Sequence, residues 1–237
     1  MRLTIRQHYA FGKDRELVGD RLVRPEAWDA LRLASEGPFA AAPDRASLER
    51  RVDADPALRA RAGAIDAALI GLGAGSVASY GAGTGLVEAA LARLAPQRDM
   101  MLSEYAPGTV ERLAALFPEA KVCRVDLLRH GPLPAAVHLF HRIDTDLEDG
   151  QWREVFRRFV GETVVMVAGD ILGPRSAYVQ LRGRLTRGTS DAGWLRTRAA
   201  FEHFWKDTHA SRHARFGDHS GWVLSPLRGP DALGPRG

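Results

Sequence analysis

Beyond residue 75 the chain alternates short apolar runs with segments of helical period, and no other feature of the sequence restricts its fold as far. The runs at 77–80, 100–103, 122–125, 136–140 and 163–168 read as five strands, and 85–94, 109–117 and 151–160 read as the helices between them. After Leu128 the stretch RHGPLP leaves little room for a helix. Strands that alternate with helices need crossover connections, so the sheet is expected to be parallel with right-handed crossovers, an α/β doubly wound architecture.

The flanks carry other patterns. Residues 1–70 read as a helical appendage. VRPEAWDALRLASEG sets Pro25 near a helix start and Gly37 past its end, and DADPALRARAGAIDAALIGLG places Asp55 at an N-cap and Pro56 at the first helical position. In the second helix Leu58, Ala62, Ile65 and Leu69 share one face and are expected to pack. GPFAAAPDRAS between the helices reads as a loop. Past the fifth strand, GPRSAYVQLRGRLTRGTS reads as partly loop, followed by a helix with Trp194, Phe201 and Trp205 on its apolar stripe. HARFGDHSGWVLSP reads as a β-hairpin turning near Gly217 and Asp218. The expected organisation is a helical cap over 1–70, a ligand-binding domain over 71–226, and a disordered tail over 227–237, where Pro and Gly occur without periodicity.

With 237 residues and 45% of them apolar, the chain is long enough to bury a real core. Cys123 is the single cysteine, which excludes an intramolecular disulfide and a thiolate-rich zinc site and fits a cytoplasmic setting. The start, MRLTIRQHYAFGKDRELVGD, is too polar for a signal peptide, and no apolar run is long enough to span a membrane. The net charge of +4 permits a nucleic-acid partner, but the basic residues, nearly all arginine, are spread along the chain rather than clustered. Abundant Ala, Gly, Pro and Arg fit a compositional bias of a bacterial-like genome.

SYGAGTGLVEAAL sets Gly81, Gly83 and Gly85 between the first strand and its helix. Glycines at such a turn allow positive φ and let a ligand approach the backbone without a Cβ in the way. The dinucleotide spacing G-x-G-x-x-G would put its third glycine where Leu86 stands, so this turn departs from the NAD pattern. Glu104 ends the second strand about twenty residues on, where an acid can accept both hydroxyl protons of a ribose, and Asp126 follows the third strand. In a doubly wound sheet these strand ends share one edge, at the crevice where ligands bind.

In these residues, GAGTG followed by Glu104 and Asp126, the chain resembles the class I S-adenosylmethionine-dependent methyltransferases over roughly residues 60–226. The resemblance implies a Rossmann-like sheet of seven strands with an antiparallel C-terminal hairpin, matching the separate reading of 210–225. It implies that Gly81, Ala82, Gly83 and Gly85 wrap the methionine part of S-adenosylmethionine. Glu104, with Tyr105 beside it, would meet the ribose, and Asp126 with Leu127 the adenine. Ser79 stands where many family members carry an acidic residue, and no Asn-Pro-Pro-Tyr motif of the nucleic-acid amino methyltransferases is present.

His141, Arg142, Asp144 and Asp146 follow the fourth strand, on the edge where the methyl group would sit. His141 is the candidate catalytic base, since an imidazole can take a proton from an acceptor hydroxyl or amine. Asp144 is a candidate cofactor or substrate contact. Methyl transfer also runs on alignment alone, because a sulfonium is an activated donor. Tyr9 and Phe11, with Trp28, are candidates to cover an apolar acceptor. His203, Asp207, His209, His213 and His219 cross from helix to strand and would fan apart, so no metal site is expected. The resulting expectation is an S-adenosylmethionine-dependent methyltransferase with a small-molecule acceptor in specialised metabolism. The alternatives are an RNA methyltransferase whose arginines in 175–198 track phosphates and a non-catalytic cofactor-binding or interaction protein on the same scaffold. The acceptor, the methylated atom and the oligomeric state stay open.

Overall fold

A computed structural model describes residues 1–8, 24–34, 39–187 and 191–227. Tyr9, Phe11 and the tail from 228 lie outside the described residues.

In chain order the elements are β1 (Thr4–His8), α1 (Pro25–Arg32), α2 (Arg45–Ala54), α3 (Pro56–Gly71), β2 (Ser76–Tyr80), α4 (Leu86–Leu94), β3 (Asp99–Glu104), α5 (Pro107–Leu116) and β4 (Lys121–Arg124). They continue with β5 (Val137–His141), α6 (Asp149–Arg158), β6 (Val164–Val167), α7 (Pro174–Arg187), β7 (Asp191–Arg196), α8 (Arg198–Trp205), β8 (His209–Phe216) and β9 (His219–Pro226). Seven of these strands form one sheet in the order β4-β3-β2-β5-β6-β9-β8. β2 through β6 run parallel, and the β8–β9 hairpin enters antiparallel against β6. From β2 the chain moves outward to β3 and β4, then returns to the other side of β2 with β5, so the order reverses between the carboxyl ends of β2 and β5. In open α/β sheets that reversal leaves a crevice.

The parallel strands are apolar on both faces because helices cover both. On one face α2, α3 and α4 bury Leu48, Ile65, Leu69 and Leu91 against Leu139 and Val165. The α3 face is the one expected, with Asp55 capping it through Leu58 N at 2.9 Å. The opposite face is aromatic: Trp152, Phe156 and Phe159 of the α6 region and Phe201 and Trp205 of α8 pack with Phe140 and Trp222. The turn between β8 and β9 is Gly217–Asp218, with Gly217 at φ +61°.

Four expectations are corrected. The N-terminal appendage contains a strand, β1, paired antiparallel with β7 so that Thr4 faces Arg196 and Ile5 faces Leu195. α2 starts inside the expected loop, at Arg45, because Asp44 accepts a hydrogen bond from Ser47 N at 2.7 Å and nucleates the first turn. The segment read as partly loop is α7; its apolar residues Tyr178, Val179, Leu181 and Leu185 are exposed, so these positions mark no buried stripe that would reveal a helix. Trp194 sits on β7 and not on the helix with Phe201 and Trp205, which are core residues of α8.

Gly221, on β9 opposite Val167, illustrates how closely the hairpin is joined to the sheet. A Cβ there would collide with the Met166 carbonyl and lie 2.8 Å from the Phe216 ring. Gly221→Ala is therefore expected to destabilise the fold by about 2–3 kcal/mol or more, read as a lowered urea midpoint with an unchanged m-value.

Candidate functional site

The crevice at the strand reversal opens into a cavity of about 520 Å³. Its floor is the turn after β2. Gly81, Gly83 and Gly85 all take positive φ, at +67°, +58° and +73°. A Cβ on Gly81 would collide with Ile143, and one on Gly83 would lie 2.8 Å from the Arg32 guanidinium. Glycine is thus required here by backbone conformation and by crowding together.

Glu104, at the end of β3, is buried against this turn. Gly83 N donates to its Oε2 at 2.9 Å and Tyr105 N to its Oε1 at 2.6 Å. Asp126 follows β4 and also lines the cavity, but one of its oxygens accepts from Leu128 N at 2.9 Å, capping its own turn. Leu127, Ala82 and Tyr105 line the same space. The sequence-predicted cofactor residues of the first three strands therefore come together on one cavity wall.

The loop after β5 divides them. His141, Arg142, Ile143, Thr145 and Asp146 line the cavity, and Asp144 does not. Asp144 points back under the sheet edge: its Oδ1 accepts from Gly169 N at 2.7 Å, and its carbonyl accepts from Trp152 Nε1 at 3.2 Å. Asp144 thus supports the loop and does not line the cavity, whereas Asp146 does. Burial pushes the Asp146 carboxyl up to about 7; the Asp144 and Glu104 charges add to this and Thr145, which donates to it at 2.9 Å, opposes it. His141 Nε2 is buried without a partner, and burial, then Arg142, Arg61 and His219, hold the imidazole well below its ordinary value.

Sequence reading missed Glu88, Arg32, Arg61 and Trp194 as cavity residues, and Asp29 as the support of α1. Glu88, on α4, is 2% exposed and lines the cavity, accepting a 2.6 Å bond from the Ser79 hydroxyl. Arg32, on α1, reaches over the glycine turn, lies 5.1 Å from the Trp28 ring centroid, and has a buried Nε without a partner. Burial lowers its pKa, while Glu104, Asp146 and Glu88 oppose that shift, so this guanidinium stands among the cavity's carboxylates. Asp29 fixes α1 in place: it accepts from Gly108 N at 2.9 Å and from Thr109 N at 2.7 Å, capping α5, whose own N-cap Ala106 has no side chain to do so. Trp194 reaches the cavity because Trp194 N donates to the Thr145 carbonyl at 2.9 Å, laying β7 along the loop after β5. A small polar residue at 79 followed by an acid at 88 was the one readable signal for Glu88; the others come from distant chain segments.

Among the described residues no three His, Cys, Asp or Glu side chains are grouped to hold a metal ion, and His209 instead lies 3.0 Å from the Glu162 carbonyl. Among the same residues no helix is long and apolar enough to cross a membrane.

The sequence matches no protein-family model and no curated protein. Solved structures share the fold. Human N-acetylserotonin methyltransferase in complex with S-adenosylmethionine superposes with a TM-score of 0.59 at 13% identity, over 78% of this chain and 57% of that one. The mitomycin 7-O-methyltransferase MmcR gives 0.58 at 17% identity, over 89% and 74%. The O-methyltransferase NcsB1 of neocarzinostatin biosynthesis, with S-adenosylmethionine and 2-hydroxy-5-methyl naphthoic acid, gives 0.52 at 18% identity, over 66% and 50%. The chain matches about half to three-quarters of the length of these proteins. The fold is the Rossmann-like methyltransferase fold.

Burial raises the Glu88 carboxyl from 4.5 to about 7 in the folded protein, against the bond from Ser79. The folded state then holds a proton that the unfolded chain releases between those values, so stability falls as pH rises through that window. Glu88→Gln removes the penalty. Above pH 8 the variant is expected to gain up to roughly 3 kcal/mol over the wild type, with the difference closing toward pH 4, as followed by urea unfolding across pH.

Proposed function

We propose that this chain is an S-adenosylmethionine-dependent methyltransferase that alkylates a small-molecule acceptor, an oxygen nucleophile in the first instance. The observation that carries this reading is the Glu104 carboxylate fixed 2.9 Å from Gly83 N at the strand reversal, at the floor of a cavity large enough for a nucleoside and an acceptor. The residues fit the cofactor. The glycines leave no Cβ in the turn, Glu104 offers paired acceptor oxygens to a ribose, Leu127 offers an apolar surface for adenine, and Glu88, Glu104 and Asp146 line the cavity with acids suited to a cationic ligand. Bound there, S-adenosylmethionine would supply an electrophilic methyl group on a positively charged sulfur.

The chain's own part is to bind, align and exclude water. Trp28, Phe39, Leu147 and Trp194 give the rest of the cavity an apolar, partly aromatic wall on which a flat acceptor can stack. Alignment of the nucleophile is then the principal catalytic contribution. Where a proton must leave the acceptor, Asp146 is the better base than His141. A base works best with a pKa near the working pH, which Asp146 meets at about 7, whereas burial, and after it the cations around His141, make its ring a weak proton acceptor. The oxygen-acceptor preference, and with it a place in specialised metabolism, is supported by fold neighbours such as the mitomycin 7-O-methyltransferase MmcR and the O-methyltransferase NcsB1 of neocarzinostatin biosynthesis. An RNA acceptor is less well supported: Arg196 is buried on Asp149 at 2.7 Å and Arg198 pairs with Glu202 at 2.7 Å, so these two are committed within the fold.

Titration calorimetry with S-adenosylhomocysteine and with NAD tests the cofactor; the first is expected to bind and the second not, and NAD binding alone would end the reading. Glu104→Ala, folded by circular dichroism, is expected to weaken S-adenosylhomocysteine binding by roughly tenfold to a hundredfold, since charged hydrogen bonds of this kind contribute about 1.5–3 kcal/mol. With an accepted substrate under conditions where chemistry limits turnover, the rate should fall below an apparent pKa of about 7 and the step should vanish in Asp146→Asn, with turnover reduced by about a hundredfold. An Asp146→Asn enzyme with wild-type turnover and pH profile would leave alignment as the whole mechanism.

A further inference from the structure

Four groups that can carry positive charge lie within electrostatic reach of one another, and three of them, Arg61, His141 and Arg142, line the cavity. Arg61 belongs to α3, His141 ends β5, Arg142 follows it, and His219 begins β9. Arg61 is 8% exposed. One of its terminal nitrogens meets Asp218 Oδ1 at 3.1 Å, while its Nε is buried with no hydrogen-bond partner. His141 Nε2 is buried without a partner as well. Among the described residues Arg142 is the one non-glycine in the left-handed region, at φ +58°, held there by its N–H bond to the Val167 carbonyl at 2.8 Å. A long side chain in that conformation is uncommon and is held by its surroundings, a pattern that clusters at ligand sites.

Arg61 is buried and Arg142 is exposed, and a buried guanidinium calls for hydrogen-bond partners and a counter-charge. The carboxylate on Arg61 is Asp218, whose side chain is 60% exposed, meets a single Arg61 nitrogen and also lies 3.5 Å from His219 Nε2, while Arg142 has the Asp144 charge within reach. The imidazoles avoid adding charge: burial, with Arg61 and Arg142 next, brings His219 down to about 4, and the same neighbours depress His141. The positive charge therefore rests on two guanidiniums, both lining the cavity beside His141.

We propose that Arg61 and Arg142, together with His141, form a seat for a carboxylate. A guanidinium presents parallel N–H donors that match the two oxygens of a carboxylate, and a ring nitrogen with no partner can supply a further bond. Two ligands bring that group into this cavity. One is the amino-acid end of the cofactor, a source that rests on the methyltransferase reading. The other is an acidic acceptor, such as an aromatic acid, a source that does not require it.

Binding of S-adenosylhomocysteine, of 5′-methylthioadenosine, which keeps the nucleoside and thioether but lacks the amino acid, and of benzoate is measured by calorimetry on the wild type, Arg61→Gln and Arg142→Gln. Circular dichroism and thermal melting check the fold; should Arg61→Gln not fold, Arg61→Lys replaces it, keeping the charge and losing the fork. Weakening of S-adenosylhomocysteine by about tenfold to a hundredfold in both variants, with 5′-methylthioadenosine unchanged, supports a seat for the cofactor's carboxylate. Loss of benzoate binding with both nucleosides unchanged supports a seat for an acidic acceptor. Parallel weakening of both nucleosides, or no change in any ligand, overturns the proposal. If the wild type binds neither nucleoside, the cofactor reading fails and benzoate alone decides: binding lost in the variants upholds the seat, and absent or unaltered binding overturns it.

Discussion

The reversal of strand order between β2 and β5 is the constraint on which the site depends. Two neighbouring parallel strands whose chains leave in opposite directions cannot be bridged at their carboxyl ends, so a crevice remains where every other strand pair is covered. The glycine turn enters this crevice from β2, Glu104 from β3, Asp126 from the end of β4 and His141 from β5. The Glu104 carboxylate then locks the geometry by accepting N–H groups from both the glycine turn and its own strand end. A backbone turn and an acidic side chain 21 residues apart thus become one surface.

A second organising centre is Arg196. Its side chain is fully buried, bonds Asp149 at 2.7 Å and the carbonyls of Asp144 and Leu147, and stacks over the Phe204 ring at 5.2 Å. Asp149 in turn accepts from the Thr4 hydroxyl at 2.8 Å. One guanidinium thereby joins β7, the loop after β5, the start of α6 and, through Asp149, β1. A buried cation is tolerated because its donors meet oxygens already in place, and the result is a loop stiff enough to present Thr145 and Asp146 to the cavity.

The cavity wall carries charge of both signs. Glu88, Glu104 and Asp146 surround Arg32 where the glycine turn lies, and Arg61 and Arg142 line the same cavity, with the Arg142 charge within reach of Arg32. Burial raises the carboxyls of Glu88 and Asp146 toward neutrality, so the charge carried by these walls changes within the ordinary range of pH. A ligand bearing a cation and an anion at different points is better matched to such a cavity than a neutral one.

The sequence by itself determined the sheet, the glycine turn and the placement of Glu104 and Asp126, because each is a local pattern: an apolar run, a residue type demanded by positive φ, an acid at a strand end. It also determined the caps of α3 and the hairpin turn at Gly217–Asp218, where neighbouring residues bond one another. Only the tertiary structure decided which of Asp144 and Asp146 faces the cavity, since one residue's rotation at a loop depends on Gly169, Trp152 and Arg196. Arg32, Arg61 and Trp194 were beyond a sequence reading for the same reason, and Glu88 left only a faint signal in the Ser79 that bonds it. Each lies on an ordinary helix or strand and acquires its part from a neighbour supplied by another element, and a charge's environment is a property of the packed interior rather than of the chain around it.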